Sequence, residues 1–153
     1  MYRLLTKFFG LSWSKRILLA EAFVKACVAL VMVRLVPYSV WRKWLGNPVS
    51  IPKQSEQISK QISNECAELT DIVWAFSALY RHARFFTCLM LGFSARSVLH
   101  RRRLRGILVL GVDREETKLA PKLLAHAWVV YHGHDIAGGE LKDKYTAVAA
   151  YSL

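Results

Sequence analysis

Apolar residues recur at three- and four-residue intervals from Ser12 onward. Leu19, Phe23, Ala26, Leu30 and Val33 share one face of a helix predicted over residues 12–36. Ser12 or Ser14 can cap its start, and Pro37 ends it, because proline denies helical geometry to the residue before it. A shorter helix follows over 38–45 and stops at Gly46. Pro48 and Pro52 punctuate residues 46–54, which read as a linker. A third helical run opens at Ser55, carried by Ile58, Ile62, Leu69, Val73 and Phe76, with a candidate break at Thr70-Asp71. After Arg84-Phe85-Phe86 a fourth helix starts at Thr87-Cys88 and reaches Arg102. Leu89, Phe93 and Val98 are its apolar positions, and Arg101 to Arg103 sit in its last turn, where cations oppose the helix dipole.

The period changes after Gly106. Residues 107–112 and 124–131 are β-branched runs, His132-Gly133 is a tight turn, and return strands follow over 135–137 and 145–151. Helices first and a small antiparallel sheet afterwards define an α+β fold. The expected organisation is an N-terminal helical subdomain over 1–46 and a core over 55–153, together one compact unit.

The apolar stretch over 17–37 fails as a membrane span. Glu21, Lys25 and Arg34 interrupt it, and its longest uncharged run covers only 26–33, far short of the ~20 residues required. Lys15-Arg16 directly before it, with no small-x-small site after it, also argues against a signal peptide. A buried or surface-lying amphipathic helix is expected instead, with peripheral membrane contact left open. Hydrophobic residues make up 54% of the 153, which excludes intrinsic disorder. Net charge is +11, and its distribution is uneven. Residues 1–45 carry 8 bases and 1 acid, 81–111 carry 7 and none, and the intervening segments are mildly acidic. The basic surface therefore belongs to folded elements. The run Arg101, Arg102, Arg103, Arg105 reads as a solvated helix end or a docking surface for an acidic partner. Trp13, Trp41, Trp44 and Trp74 are expected in core or interface.

Three cysteines, Cys27, Cys66 and Cys88, with no C-x-x-C pair argue against a disulfide framework and a zinc site, and for a reducing cytoplasm. His132 and His134 are too few for a metal site. No glycine-rich phosphate loop appears, so no nucleotide cofactor is expected. Cys88 is the informative one. It falls in the first turn of a helix, where unpaired N–H groups and the helix dipole stabilise a thiolate, with Arg84 four residues upstream. The same N–H groups can serve a developing oxyanion. His126, in the apolar strand Leu124-Ala125-His126-Ala127-Trp128-Val129, is either a satisfied core histidine or a general base for that thiol.

Several fragments extend this. Thr87-Cys88-Leu89, His100-Arg101-Arg102-Arg103, the strand over 107–112, and Ala125-His126-Ala127-Trp128-Val129 closed by Gly133 resemble the lasso-peptide maturation proteases. In the microcin J25-processing B protein of that family, the match is to the C-terminal, transglutaminase-like cysteine protease domain. Leu11-Ser12, the run from Lys15 to Ala22, and Arg34-Leu35-Val36-Pro37 resemble its leading helices. The resemblance implies a transglutaminase/papain-like core with a catalytic helix on a small antiparallel sheet, in the split, protease-only (B2) form. It also implies removal of the leader from a lasso precursor by Cys88 as nucleophile and His126 as base, without cofactor or metal. The implied partners are the precursor, a separate leader-binding (recognition-element) protein and a lasso cyclase, with no nucleic acid.

The family's third residue is an Asp about twelve residues past the His, and this sequence departs there. With a two-residue turn at His132-Gly133, Val130 pairs with Asp135 and His126 faces Gly139, so Gly138 and Gly139 occupy the family's Asp site. Asp135 shares the histidine's face but lies four residues along, roughly 13 Å. Glu140 is closer but faces the other way unless a bulge re-aims it. Asp135 is favoured, Glu140 is the alternative, and a dyad held by a backbone carbonyl is the third option. Rival functions are an acyltransferase or transglutaminase on the same fold, and a non-enzymatic basic adaptor for membrane or nucleic acid.

Overall fold

A computed structural model describes residues 10–51, 65–83, 85–113 and 124–152. Arg84 and the start of the third helical run, Ser55 to Ile62, lie outside the described residues, as does the side chain of Cys66. Helix α1 spans Trp13–Leu35, α2 Tyr38–Trp41, with a 3-10 turn Arg42–Leu45; β1 is Asn47–Val49, α3 Glu65–His82 and α4 Cys88–Arg101. Strands β2 (Ile107–Asp113), β3 (Ala125–Tyr131) and β4 (His134–Ala137), a 3-10 helix Gly139–Lys144 and β5 (Tyr145–Ser152) follow among the described residues. The five strands form one antiparallel sheet in the order β1-β5-β2-β3-β4. The α+β class read from the sequence is the class observed.

Helix α1 runs where expected and stops before Pro37, yet its buried face is turned by one position. Leu18, Ala22, Ala26, Ala29 and Met32 are buried, while Phe23 is exposed. Three alanines let α1 approach α4 closely enough for the buried Ser94 Oγ to donate to the Ala22 carbonyl at 2.9 Å. Lys25 Nζ likewise reaches Ser97 Oγ at 2.7 Å. Ser12 stands at the N-cap but makes no capping bond with its side chain. Helix α3 is unbroken through Thr70-Asp71, and Asp71, partly buried, pairs with Lys15 of α1 at 3.2 Å. The linker expected over 46–54 contains strand β1, which pairs Pro48 with Tyr151 at the sheet's edge. An edge strand tolerates proline, whose missing N–H costs a ladder bond only in the interior. The arginine run is only partly a solvated end. Arg102 holds Glu21 at 3.1 Å and Glu68 at 2.7 Å, tying α4 to both α1 and α3.

The helices cover one face of the sheet. Leu108, Ala127, Val129, Tyr131, Ile136 and Ala137 belong to that core. The opposite face carries a second, smaller cluster around Val109, Trp128 and Ala150. The buried Arg96 donates to the carbonyls of Trp44 and Leu45 and so fixes the end of the 3-10 turn against α4. No helix among the described residues is long and apolar enough to cross a membrane.

Candidate active site

Thr87 is the N-cap of α4, its hydroxyl accepting from the Met90 N–H at 3.4 Å, which places Cys88 at the first helical position. Cys88 is half-buried where α4 abuts the edge of β3. That edge is open there for a specific reason. Strand β4 pairs with β3 only as far as Val129–Ala137, after a bulge at Ile136, and Gly138 then turns into the left-handed region at φ 75°. The Ala127 N–H and the Leu89 N–H both donate to the Cys88 sulfur.

His126 meets the same sulfur. Its Nε2 donates to the Gly138 carbonyl at 2.7 Å, leaving Nδ1 to take a proton from the thiol. Gly138 has to be glycine here, since a Cβ would stand 2.7 Å from the Ala127 oxygen. The imidazole also stacks on Tyr145, with centroids 4.9 Å apart, and on Trp128 at 6.0 Å. Tyr145 belongs to β5, two strands from His126. Its ring crosses β2 because Gly111, the direct partner of His126, has no side chain to block it.

Each group shifts the other toward its charged form. Burial alone pushes the Cys88 thiol up, but the hydrogen bond with His126, the Ala127 N–H, the imidazolium charge and the Leu89 N–H bring it below its ordinary value. Burial pushes His126 down, while the bond to Cys88, the Gly138 carbonyl, the thiolate charge and Glu140 raise it above its ordinary value. Each group supplies the other's largest favourable influence, so the two titrations are coupled.

The sequence-derived residues are therefore not all assembled. Cys88 and His126 are brought together. The Asp135 carboxylate instead pairs with Lys142 at 2.5 Å, and the Gly138 carbonyl holds the imidazole. The bulge and the left-handed turn explain this, because they end the regular register before an Asp135 or Glu140 side chain is aimed at the ring. Glu140 contributes charge only. Asp135 lies against Gly139, so its ion pair closes the segment that carries the Gly138 carbonyl. Sequence reasoning missed Tyr145 and Gly111. The signal was faint: a glycine facing the candidate base inside a β-branched strand marks a close approach. Among the described residues, no group of three or more His, Cys, Asp or Glu is placed to hold a metal ion.

A nucleophilic cysteine at a helix N-terminus, facing a strand-borne histidine on an antiparallel sheet, is an acyl-transfer arrangement. A profile of the Transglutaminase-like superfamily matches residues 29–150, from within α1 to within β5. The chain belongs to that superfamily, in which cysteine-based protease or acyltransferase chemistry is common. No curated protein and no solved structure matches it.

Proposed function

We propose that this protein is the leader peptidase of a lasso-peptide pathway, working with a separate leader-binding protein and a cyclase in the cytoplasm. The observation that carries the reading is the Cys88–His126 pair, oriented by the Gly138 carbonyl at the N-terminus of α4. The fragments from Thr87 to Gly133 that resemble the lasso proteases narrow the substrate to a ribosomally made precursor.

The Cys88 thiolate attacks the carbonyl at the leader–core junction and forms a thioester with the leader. His126 gives its proton to the departing amine of the core and then takes one from the water that releases the leader. The backbone N–H groups at the start of α4 face the developing oxyanion. A second reading, supported by membership of a superfamily that also transfers acyl groups, passes the leader to an amine instead of water.

The test is cleavage of a cognate precursor, followed by mass spectrometry. Cys88→Ala should lose about 10^4-fold or more in turnover, as removal of a nucleophile does, while Cys27→Ala retains activity. Adding the leader-binding protein should raise cleavage by tethering the precursor near the site. Full activity in Cys88→Ala refutes the assignment. An added primary amine appearing on the leader product favours the transferase reading.

A further inference from the structure

Helix α1 is apolar on two opposite faces. One packs on the core through Leu18, Ala22, Ala26, Ala29 and Met32. The other presents Trp13, Ile17, Val24, Val28, Val31 and Leu35 to solvent, with exposure reaching 73% at Trp13 and 77% at Leu35. Their spacing of three, four and seven residues keeps them in one stripe, ~33 Å long at 1.5 Å per residue. A stripe ~10 Å wide covers about 300 Å², the size at which an apolar patch signals a contact surface.

We infer that this outer face of α1 docks the protein on an anionic membrane surface, the helix lying in the headgroup plane. The charges bordering the stripe select that occupant. Arg34 is exposed beside its C-terminal end, and residues 1–45 carry 8 bases against one acid. Glu21, the one acid among the first 45 residues, is paired with Arg101 at 3.2 Å and Arg102 at 3.1 Å. An apolar stripe edged by cations matches acyl chains beneath anionic headgroups. Trp13, at the stripe's N-terminal end and 73% exposed, is an amphipathic ring suited to the headgroup level. A parallel two-fold contact between copies would bring the Arg34 side chains together, and an antiparallel one is read out by the test below.

Co-sedimentation of the full chain with vesicles of phosphatidylcholine, with and without phosphatidylglycerol, tests this. Binding is expected with phosphatidylglycerol, about tenfold weaker or less in the charge-neutral double variant Val24→Gln/Val28→Gln, and about fivefold weaker in Arg34→Gln. Val148→Gln, on the sheet, should bind as the parent does, and circular dichroism checks that each variant folds. Brominated lipids should also quench the tryptophan emission of the unsubstituted protein, a readout independent of any variant's folding. Absence of both sedimentation and quenching overturns the inference. So does binding that survives the double valine change, which would be adhesion by charge alone. A dimer that the valine changes dissociate, without vesicle binding, assigns the stripe to self-association and equally overturns it.

Discussion

Substituting Gly111 with alanine should damage activity more than stability, and the structure says why. A Cβ at Gly111 would lie 2.8 and 2.9 Å from two atoms of the Trp128 ring and 3.0 Å from Tyr145 Cβ. Both rings stack on His126, so neither can move without releasing the imidazole. Overpacking of this kind costs about 1–3 kcal/mol. At ~2–4 °C per kcal/mol for a chain of this length, a loss of several degrees in Tm follows. A displacement of ~1 Å in a catalytic group costs about 100-fold in rate. The expected result is therefore a folded protein with Tm lowered by roughly 4–8 °C and precursor cleavage reduced by about two orders of magnitude. Thermal unfolding and single-turnover cleavage, both below the lowered Tm, measure the two effects separately. Wild-type cleavage by a Gly111→Ala protein that has lost stability would refute the claim that the Tyr145–Trp128 stack positions His126.

The remaining substitutions bear on separate parts of the site and scaffold. Asp135→Asn and Lys142→Met should each lower turnover by about tenfold or less, and the double variant should be no worse than the singles, because both break one ion pair; double-mutant kinetics check this. Glu140→Gln removes an anion that raises His126, so the alkaline limb of the pH–rate profile should move to lower pH with its height nearly unchanged. Arg96→Met leaves the Trp44 and Leu45 carbonyls without their donor and should cost about 3 kcal/mol in denaturant unfolding.

The helical half was legible because its signals are local. Pro37 ends α1, Thr87 caps α4, and the 3.6-residue period marks the helices. The same locality put Cys88 at a helix N-terminus and His126 in a strand. What the sequence concealed depends on partners distant in the chain. The buried face of α1 is chosen by its three alanines fitting against α4, and hydrophobicity alone ranks Phe23 above them. Strand β1 exists because β5 offers it an edge, though Pro48 reads locally as a linker. The third member of the site stayed open among Asp135, Glu140 and a backbone carbonyl for a similar reason, and the favoured Asp135 is not the group on the imidazole. The Val130–Asp135 pairing was read correctly, but one extra residue at Ile136 and the left-handed turn at Gly138 substitute a main-chain carbonyl for a side chain.

The central claim is that His126 faces Cys88 and makes its thiol more acidic, each group favouring the other's charged form. The pH dependence of Cys88 alkylation by iodoacetamide, read by peptide mass spectrometry, tests it without a known substrate. The thiol is lowered from 9.0 and the imidazole raised from 6.5. Alkylation should therefore rise through a midpoint below 9.0, and His126→Ala should move that midpoint upward, since the hydrogen bond and the charge that lower it are gone. A Cys88 midpoint at or above 9.0, or one indifferent to His126→Ala, would contradict the pair.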